Sequence, residues 1–415
     1  MKKTLSKLLL IIGSFAISQY AFAQTANNAA VITTKTPAAT NMLLPDGFTA
    51  TVVADSLPGA RHIAVNKQGG LYVKLSRLKD GKGIIYLKEK DGKFVEQAAF
   101  GDYPGTGIYI RNDYLYASSN DDVYRYKLNN NGEVVNPNAP EKIIVGLVNR
   151  RRDNAKTITV DNSGNIYVNV GSYLGSCLVD TGSRQAPNPC PLLDSVGGIW
   201  QFKTNKLNQQ YKDGVRYATG FKHSVGLDWN SKTNSLFIME HGRDNLHDLF
   251  PQYYTAEQSG LLPAETMYEV RKGSTGGWPY VYYDHFQHKK ILSPEYGGDG
   301  KKTGKPDALN PIVAFPAHLA PNSLLFYTNN KFPKKYQDGA FIAFHAKSAE
   351  LKKGYLVGFV PFKGGKPSGN WEVFADGFLA GTDQHKPCGL AQGQDGSIYV
   401  TDDAKGSIYC IRYNN

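Results

Sequence analysis

The chain has 415 residues, 41% hydrophobic and 20% charged, with 47 Lys and Arg against 36 Asp and Glu and a formal net charge of +11. The basic residues are scattered and no nucleic-acid-binding motif accompanies them, so nucleic acid is not an expected partner. Beyond the N-terminus no apolar stretch approaches the length of a membrane span, so no transmembrane segment is expected.

Residues 1–23 read as a secretory signal peptide. Lys2, Lys3 and Lys7 make a positive start, residues 8–17 a short apolar core, and Ala21-Phe22-Ala23 a small-residue cleavage signal. Removing this leader takes away three lysines and no acidic residue, lowering the net charge from +11 to +8. The expected location is periplasmic or secreted. Residues 24–42 are rich in Ala, Thr and Asn without apolar period and read as a flexible leader. The folded domain is expected over residues 43–415.

Six times an apolar run meets a Gly/Asn/Asp-rich turn and a second apolar run follows. The copies begin at His62, Gly107, Lys156, Val225, Ser323 and Cys388, with second runs at Gly70, Asp113, Asn165, Ser235, Gly339 and Ser397. Such pairs predict hairpins. Strand-rich repeats of about 40 residues or more predict an all-β propeller, here with six blades. Residues 48–54 alternate like a strand but precede the first repeat too closely to form a blade. Their predicted use is to complete the last blade beside residues 408–413 and close the ring. Repeat spacing is 45 positions from Ile63 to Ile108, 50 from Ile108 to Ile158, and 99 from Val225 to Leu324. An insertion is therefore expected near residues 242–321, and insertions on one face of a repeat fold mark a binding face.

Four cysteines occur. Cys177 and Cys190 share one loop, and export would place them in an oxidising compartment, so a disulfide is expected. Cys388 and Cys410 fall on non-neighbouring strands of the last blade and should be buried thiols. No C-x-x-C-H haem motif is present. The cluster Arg150-Arg151-Arg152 reads equally as a solvated loop or as an attractor of anions to the propeller mouth. His241, His318 and His345 lie on three loops without metal-ligand spacing, Asp402-Asp403 reads as a turn, and Trp278 and Tyr280 as loop packing or a stacking surface.

Several motifs occur in one order: Glu240-His241-Gly242-Arg243-Asp244-Asn245, Gly276-Gly277-Trp278-Pro279-Tyr280, Glu295-Tyr296-Gly297-Gly298-Asp299-Gly300, Phe315-Pro316-Ala317-His318, and Asp395-Gly396-Ser397-Ile398-Tyr399-Val400-Thr401-Asp402-Asp403. Together they resemble the soluble glucose/sorbosone dehydrogenase family, the PQQ-dependent aldose sugar dehydrogenases, over nearly the whole expected domain. The resemblance implies a planar tricarboxylate cofactor, pyrroloquinoline quinone (PQQ), with Ca²⁺ held by oxygen ligands and a general base for the sugar hydroxyl. It also implies a sugar or aldehyde substrate and an external electron acceptor. Gly242 and Arg243 correspond to the loop whose carbonyls hold the calcium. Lys222 and His223 stand where the family has Arg-Asn beneath the cofactor, and Lys386 where it has an Arg before Pro. In His345-Ala346-Lys347-Ser348 the family shows His-Gly-Ser-Trp, so Lys347 adds a cation at the mouth. Asp153 aligns with the general-base histidine, and the arginines beside it should make it a weak base. The reading is a PQQ- and Ca²⁺-dependent sugar dehydrogenase. The alternatives are a propeller that binds a sugar or anionic ligand without redox chemistry, and a calcium-dependent lactonase-like hydrolase.

Overall fold

The structure is a computed structural model that describes residues 40–150, 152–178, 182–380 and 383–414. The expected signal peptide, most of the leader and Arg151 lie outside the described residues.

Six sheets, each built on an antiparallel meander, follow one another along the chain, each starting with one of the apolar runs. The first blade comprises Ala60–Val65, Leu71–Lys79, Lys82–Lys90 and Lys93–Phe100; the second starts at Ile108–Arg111, the third at Ile158–Val160, the fourth at Gly226–Asn230 and the fifth at Pro321–Phe326. The sixth holds Pro387–Gln392, Ile398–Asp402 and Ser407–Tyr413, and its fourth strand is Phe48–Ala54 from the other end of the chain. That strand pairs antiparallel, Phe48 opposite Tyr413 and Val52 opposite Tyr409.

The turns explain the repeat. Between the first two strands of a blade an Asn or Asp caps the loop with its own side chain. Asp161 Oδ1 accepts the Ser163 and Asn165 amides, both at 2.8 Å, Asn66 Oδ1 accepts those of Gln68 and Gly70, and Asp395 Oδ1 that of Ser397. Apolar side chains on the flanking strands pack between blades. The most aromatic seam lies where the ring closes: Phe48 meets Phe332, Tyr336 and Phe374 edge to face with centroids 4.8–5.5 Å apart. Met42 and Leu44 are buried in the same core, so ordered packing starts slightly before the apolar strand.

Because strands alternate in direction, the chain enters each inner strand, and crosses from second to third strand, at the same end of the ring. The two longest such crossings, residues 171–197 and 241–264, both rise at that end. A further insertion leaves the fourth blade after Glu265–Val270 and climbs the outer edge of the third, pairing Ser274 and Thr275 in parallel with Ala218 and Thr219. It delivers the hairpin Val281–Asp284 and Lys289–Leu292 to that end. Cys177 and Cys190 are joined in the first of these loops, while Cys388 and Cys410 are buried free thiols. Trp278 and Tyr280 brace that loop, donating from Nε1 to the Gly175 carbonyl (2.9 Å) and accepting the Cys190 amide (2.9 Å). They are loop packing. Among the described residues no helix is long and apolar enough to cross a membrane.

Candidate active site

The heads of the inner strands gather the charged residues. Lys222 and His223 sit in the connection from Val215–Thr219 into Gly226–Asn230, and Asp153 in the connection that leads to Ile158–Val160. The structure brings them together: Lys222 Nζ lies 3.3 Å from Asp153 Oδ2, and the Lys222 amide donates to Glu240 Oε1 at 2.9 Å. The turn is tight. A Cβ on Gly171 would stand 2.2 Å from His223 Nδ1 and 2.8 Å from the Asp153 carbonyl oxygen, so only glycine fits there.

His223 is buried against His241, their rings 5.3 Å apart and nearly perpendicular. Burial holds the His223 imidazole well below its usual range, and His241, Lys222, Lys156 and Arg61 push it the same way. Burial and Lys222 likewise lower His241 to about 3, while its Nε2–H donates to the Pro321 carbonyl at 3.1 Å. His62 is lowered to about 4 by burial and donates to the Asn322 carbonyl at 2.7 Å. These three imidazoles are neutral in a region of positive potential; His62 and His241 donate to backbone carbonyls, while His223 Nδ1 accepts from Asn169 Nδ2 at 3.4 Å. Lys156 is part of that field. It is 1% exposed, donates to the Asn154 carbonyl at 2.9 Å, and is lowered by burial to about 8.

Across the channel mouth, Arg61 Nη1 donates to Asp403 Oδ2 at 2.7 Å and His345 Nε2 to Asp403 Oδ1 at 2.8 Å. Burial works against the Asp403 carboxylate, but His345 and Arg61 outweigh it and hold the group down to about 2. Lys386 is half-buried at the head of the sixth inner strand, its amide donating to Asp402 Oδ1 at 2.9 Å. Lys347 is not among the buried cations; it is exposed, with its ammonium 6.0 Å from the centre of the Tyr355 ring. Arg150 is exposed too, lying over Tyr173 at 5.7 Å.

On the loop after Ser235–Glu240, the Gly242 amide donates to Glu265 Oε2 at 2.9 Å. The Arg243 guanidinium is turned into the insertion, where it pairs with buried Glu295 at 2.7 Å, so Arg243 offers a ligand only through its carbonyl. Burial raises both Glu240 and Glu265 to about 7. Asp244 stands 3.3 Å from His318 Nδ1, and this contact raises His318 to about 8 and lowers Asp244. The three carboxyl groups around Gly242 and Arg243 are taken up locally, Glu240 by the Lys222 amide, Glu265 by the Gly242 amide and Asp244 by His318. Deeper in the channel, an opening of about 410 Å³ is lined by inner-strand residues of all six blades, including His62, Ile108, Ile158, Leu227, Leu324 and Leu390.

Sequence reasoning missed Arg61, Lys156, Glu240, Glu265 and the role of Asp403. Arg61, Lys156, Lys222 and Lys386 all stand immediately before, or within a few residues of, the apolar run of their repeats. That shared position was the signal available for the first two.

The family model described as TrAA12-like matches residues 42–279 and 289–414. The chain belongs to the TrAA12-like family. The resemblance to soluble sugar dehydrogenases therefore holds at the level of family and fold. Among curated relatives, an uncharacterized protein of Borreliella burgdorferi is 25% identical over 384 residues, covering 89% of this chain and 90% of its own. A pyrroloquinoline quinone-dependent sugar dehydrogenase of Hypocrea jecorina is 20% identical, with 88% of each chain covered. The calcium structure of the Trichoderma reesei family AA12 carbohydrate-active enzyme superposes with a TM-score of 0.72 at 19% identity, over 94% of this TrAA12-like chain and 100% of the other. That likeness establishes the shared propeller.

Proposed function

We propose that the chain is an exported dehydrogenase that uses PQQ and Ca²⁺ to oxidise a sugar or sugar-derived aldehyde and passes the electrons to an external acceptor. The observation that carries this reading is the gathering of cations at the heads of the inner strands: Lys222, 3.3 Å from Asp153 and next in sequence to buried His223, buried Lys156, and Arg61, 2.7 Å from Asp403. A planar tricarboxylate is a ligand for such a field. The named activity of the Hypocrea jecorina relative points the same way.

The residues present fit the cofactor and its ion. Lys222, Lys386 and Arg61 would face the carboxylates, with neutral His223 donating beneath, and the carbonyls of Gly242 and Arg243 would hold the calcium. When bound, PQQ supplies a two-electron acceptor for substrate hydride and Ca²⁺ a Lewis acid that polarises it. Lysine presents a point charge where a guanidinium would make two parallel bonds, so binding should be looser than with arginine.

Two side chains are placed to take the proton of the substrate hydroxyl. Asp153 must share its carboxylate with Lys222. His345 is held by a buried carboxylate that is itself pinned by Arg61, the arrangement by which a catalytic base is oriented. We assign the proton to His345. With PQQ, Ca²⁺ and a panel of aldoses, His345→Gln should lower dye reduction by about 100-fold or more, the usual contribution of a general base. Asp153→Asn should lower it less. No dye reduction by the unaltered protein with any aldose would overturn the redox reading. The Asp153–Lys222 pair would then favour a propeller that binds a sugar or an anionic ligand without oxidising it.

A further inference from the structure

Beside the Arg61–Asp403–His345 array lies a buried thiol. Cys388 is on the inner strand Pro387–Gln392, Asp403 just past Ile398–Asp402 in the same blade, and His345 on Gly339–Ser348 of the fifth. An imidazole nitrogen of His345, the Cys388 sulfur and a carboxylate oxygen of Asp403 all lie within 4.8 Å of one another. We propose that these three side chains bind Zn²⁺.

The donor set suits that ion. One nitrogen, one sulfur and one oxygen with a fourth position open to water is a mixed tetrahedral set that favours zinc over calcium or magnesium. Bond lengths of about 2.0–2.3 Å put neighbouring donors roughly 3.3–3.8 Å apart around the ion, so the Cys388 sulfur closes in while His345 Nε2 and Asp403 Oδ1, 2.8 Å apart, part slightly to admit it. Its parts are already held: Arg61 fixes Asp403 by Oδ2 at 2.7 Å, which orients Oδ1 toward His345. The Asn322 amide nitrogen lies 3.9 Å from the Cys388 sulfur, and Arg61 favours its thiolate; both would support that form. Ligation requires the thiolate, so zinc binding releases the thiol proton. Arg61 opposes a cation here, but thiolate and carboxylate together supply two negative charges against its one. His345, with 20% of its side chain exposed, leaves an entry path from the mouth.

The consequence for activity rests on the assignment of His345 above: an ion bound there occupies the group that takes the substrate proton, making Zn²⁺ a reversible inhibitor relieved by a chelator. Binding itself does not depend on PQQ. Protein stripped with chelator is titrated with Cd²⁺, followed by its thiolate charge-transfer absorbance, and then competed with Zn²⁺. One equivalent is expected, with the band lost in Cys388→Ser, retained in Cys410→Ser, and the affinity weakened at least tenfold in His345→Gln. Absence of the band, or its survival in Cys388→Ser, overturns the proposal. Should Cys388→Ser fail to fold, His345→Gln decides, because an unchanged Zn²⁺ affinity there also overturns it. None of these readouts uses the quinone, so a failed cofactor reading and a failed metal site are told apart.

Discussion

Asp403→Asn tests whether the array at the channel mouth is an ionised cluster. The carboxylate is 13% exposed and accepts from Arg61 at 2.7 Å and His345 at 2.8 Å. Those contacts, working against burial, lower it from 3.8 to about 2. Such a shift corresponds to about 2 kcal/mol of native-state stability. A lowered carboxylate contributes that stability fully above about pH 4, and the contribution is lost as pH falls through about 2. The amide also leaves a largely buried Arg61 without its anion, which adds to the loss. At pH 7 the variant should therefore unfold with a free energy lower by about 2–4 kcal/mol in denaturant titrations. The gap between the two proteins should narrow when the titration is repeated near pH 3. Equal stability at pH 7, or a gap that acid leaves unchanged, would refute an ionised Asp403 held by these partners.

Phe48→Ala should lower stability by about 3–5 kcal/mol, because Phe48 is 4% exposed and its ring meets four others where the two chain ends pair. Thermal unfolding measures it, and a loss below about 1 kcal/mol would contradict the closure as a stabilising seam. Gly171→Ala should cost about 1–3 kcal/mol by overpacking and shift the imidazole line of His223 in NMR spectra, since the added carbon would sit 2.2 Å from Nδ1. An unchanged spectrum would contradict the tight turn. Replacing Cys177 and Cys190 together by Ser should cost about 3 kcal/mol through the loop the bridge closes; mass mapping that found both thiols free in the unaltered protein would remove the basis for that loss.

Strands and blades were legible because their cause is local. An apolar run such as Asn165-Ile166-Tyr167-Val168 and the Asx turn at Asp161 are written in consecutive residues, and six copies reinforce one another. Lys222 and Asp153 were legible through family motifs, and their meeting at 3.3 Å follows from the closed ring. Asp403 was not. It reads as a turn because its partner Arg61 is 342 positions away, and only ring closure brings them into contact. Lys156 looks like an ordinary edge residue, since nothing local records its burial. Lys347, which the motif suggested as a cation at the mouth, is exposed with its ammonium 6.0 Å from the centre of the Tyr355 ring. Trp278 reads equally in sequence as loop packing or a stacking surface, and its Nε1 is committed to the Gly175 carbonyl in the disulfide loop.

Calorimetric titration of the mature protein with PQQ in the presence of Ca²⁺ tests the central claim most directly, because it asks whether the cations at the mouth form a site before any turnover is required. The account predicts saturable one-to-one binding that weakens in Lys222→Ala and in Lys386→Ala, each by about 1.5–3 kcal/mol, the loss of one charge-assisted bond to a carboxylate. Removing Ca²⁺ should weaken it further. No heat of binding with Ca²⁺ present, or an affinity that both lysine variants leave unchanged, would contradict it.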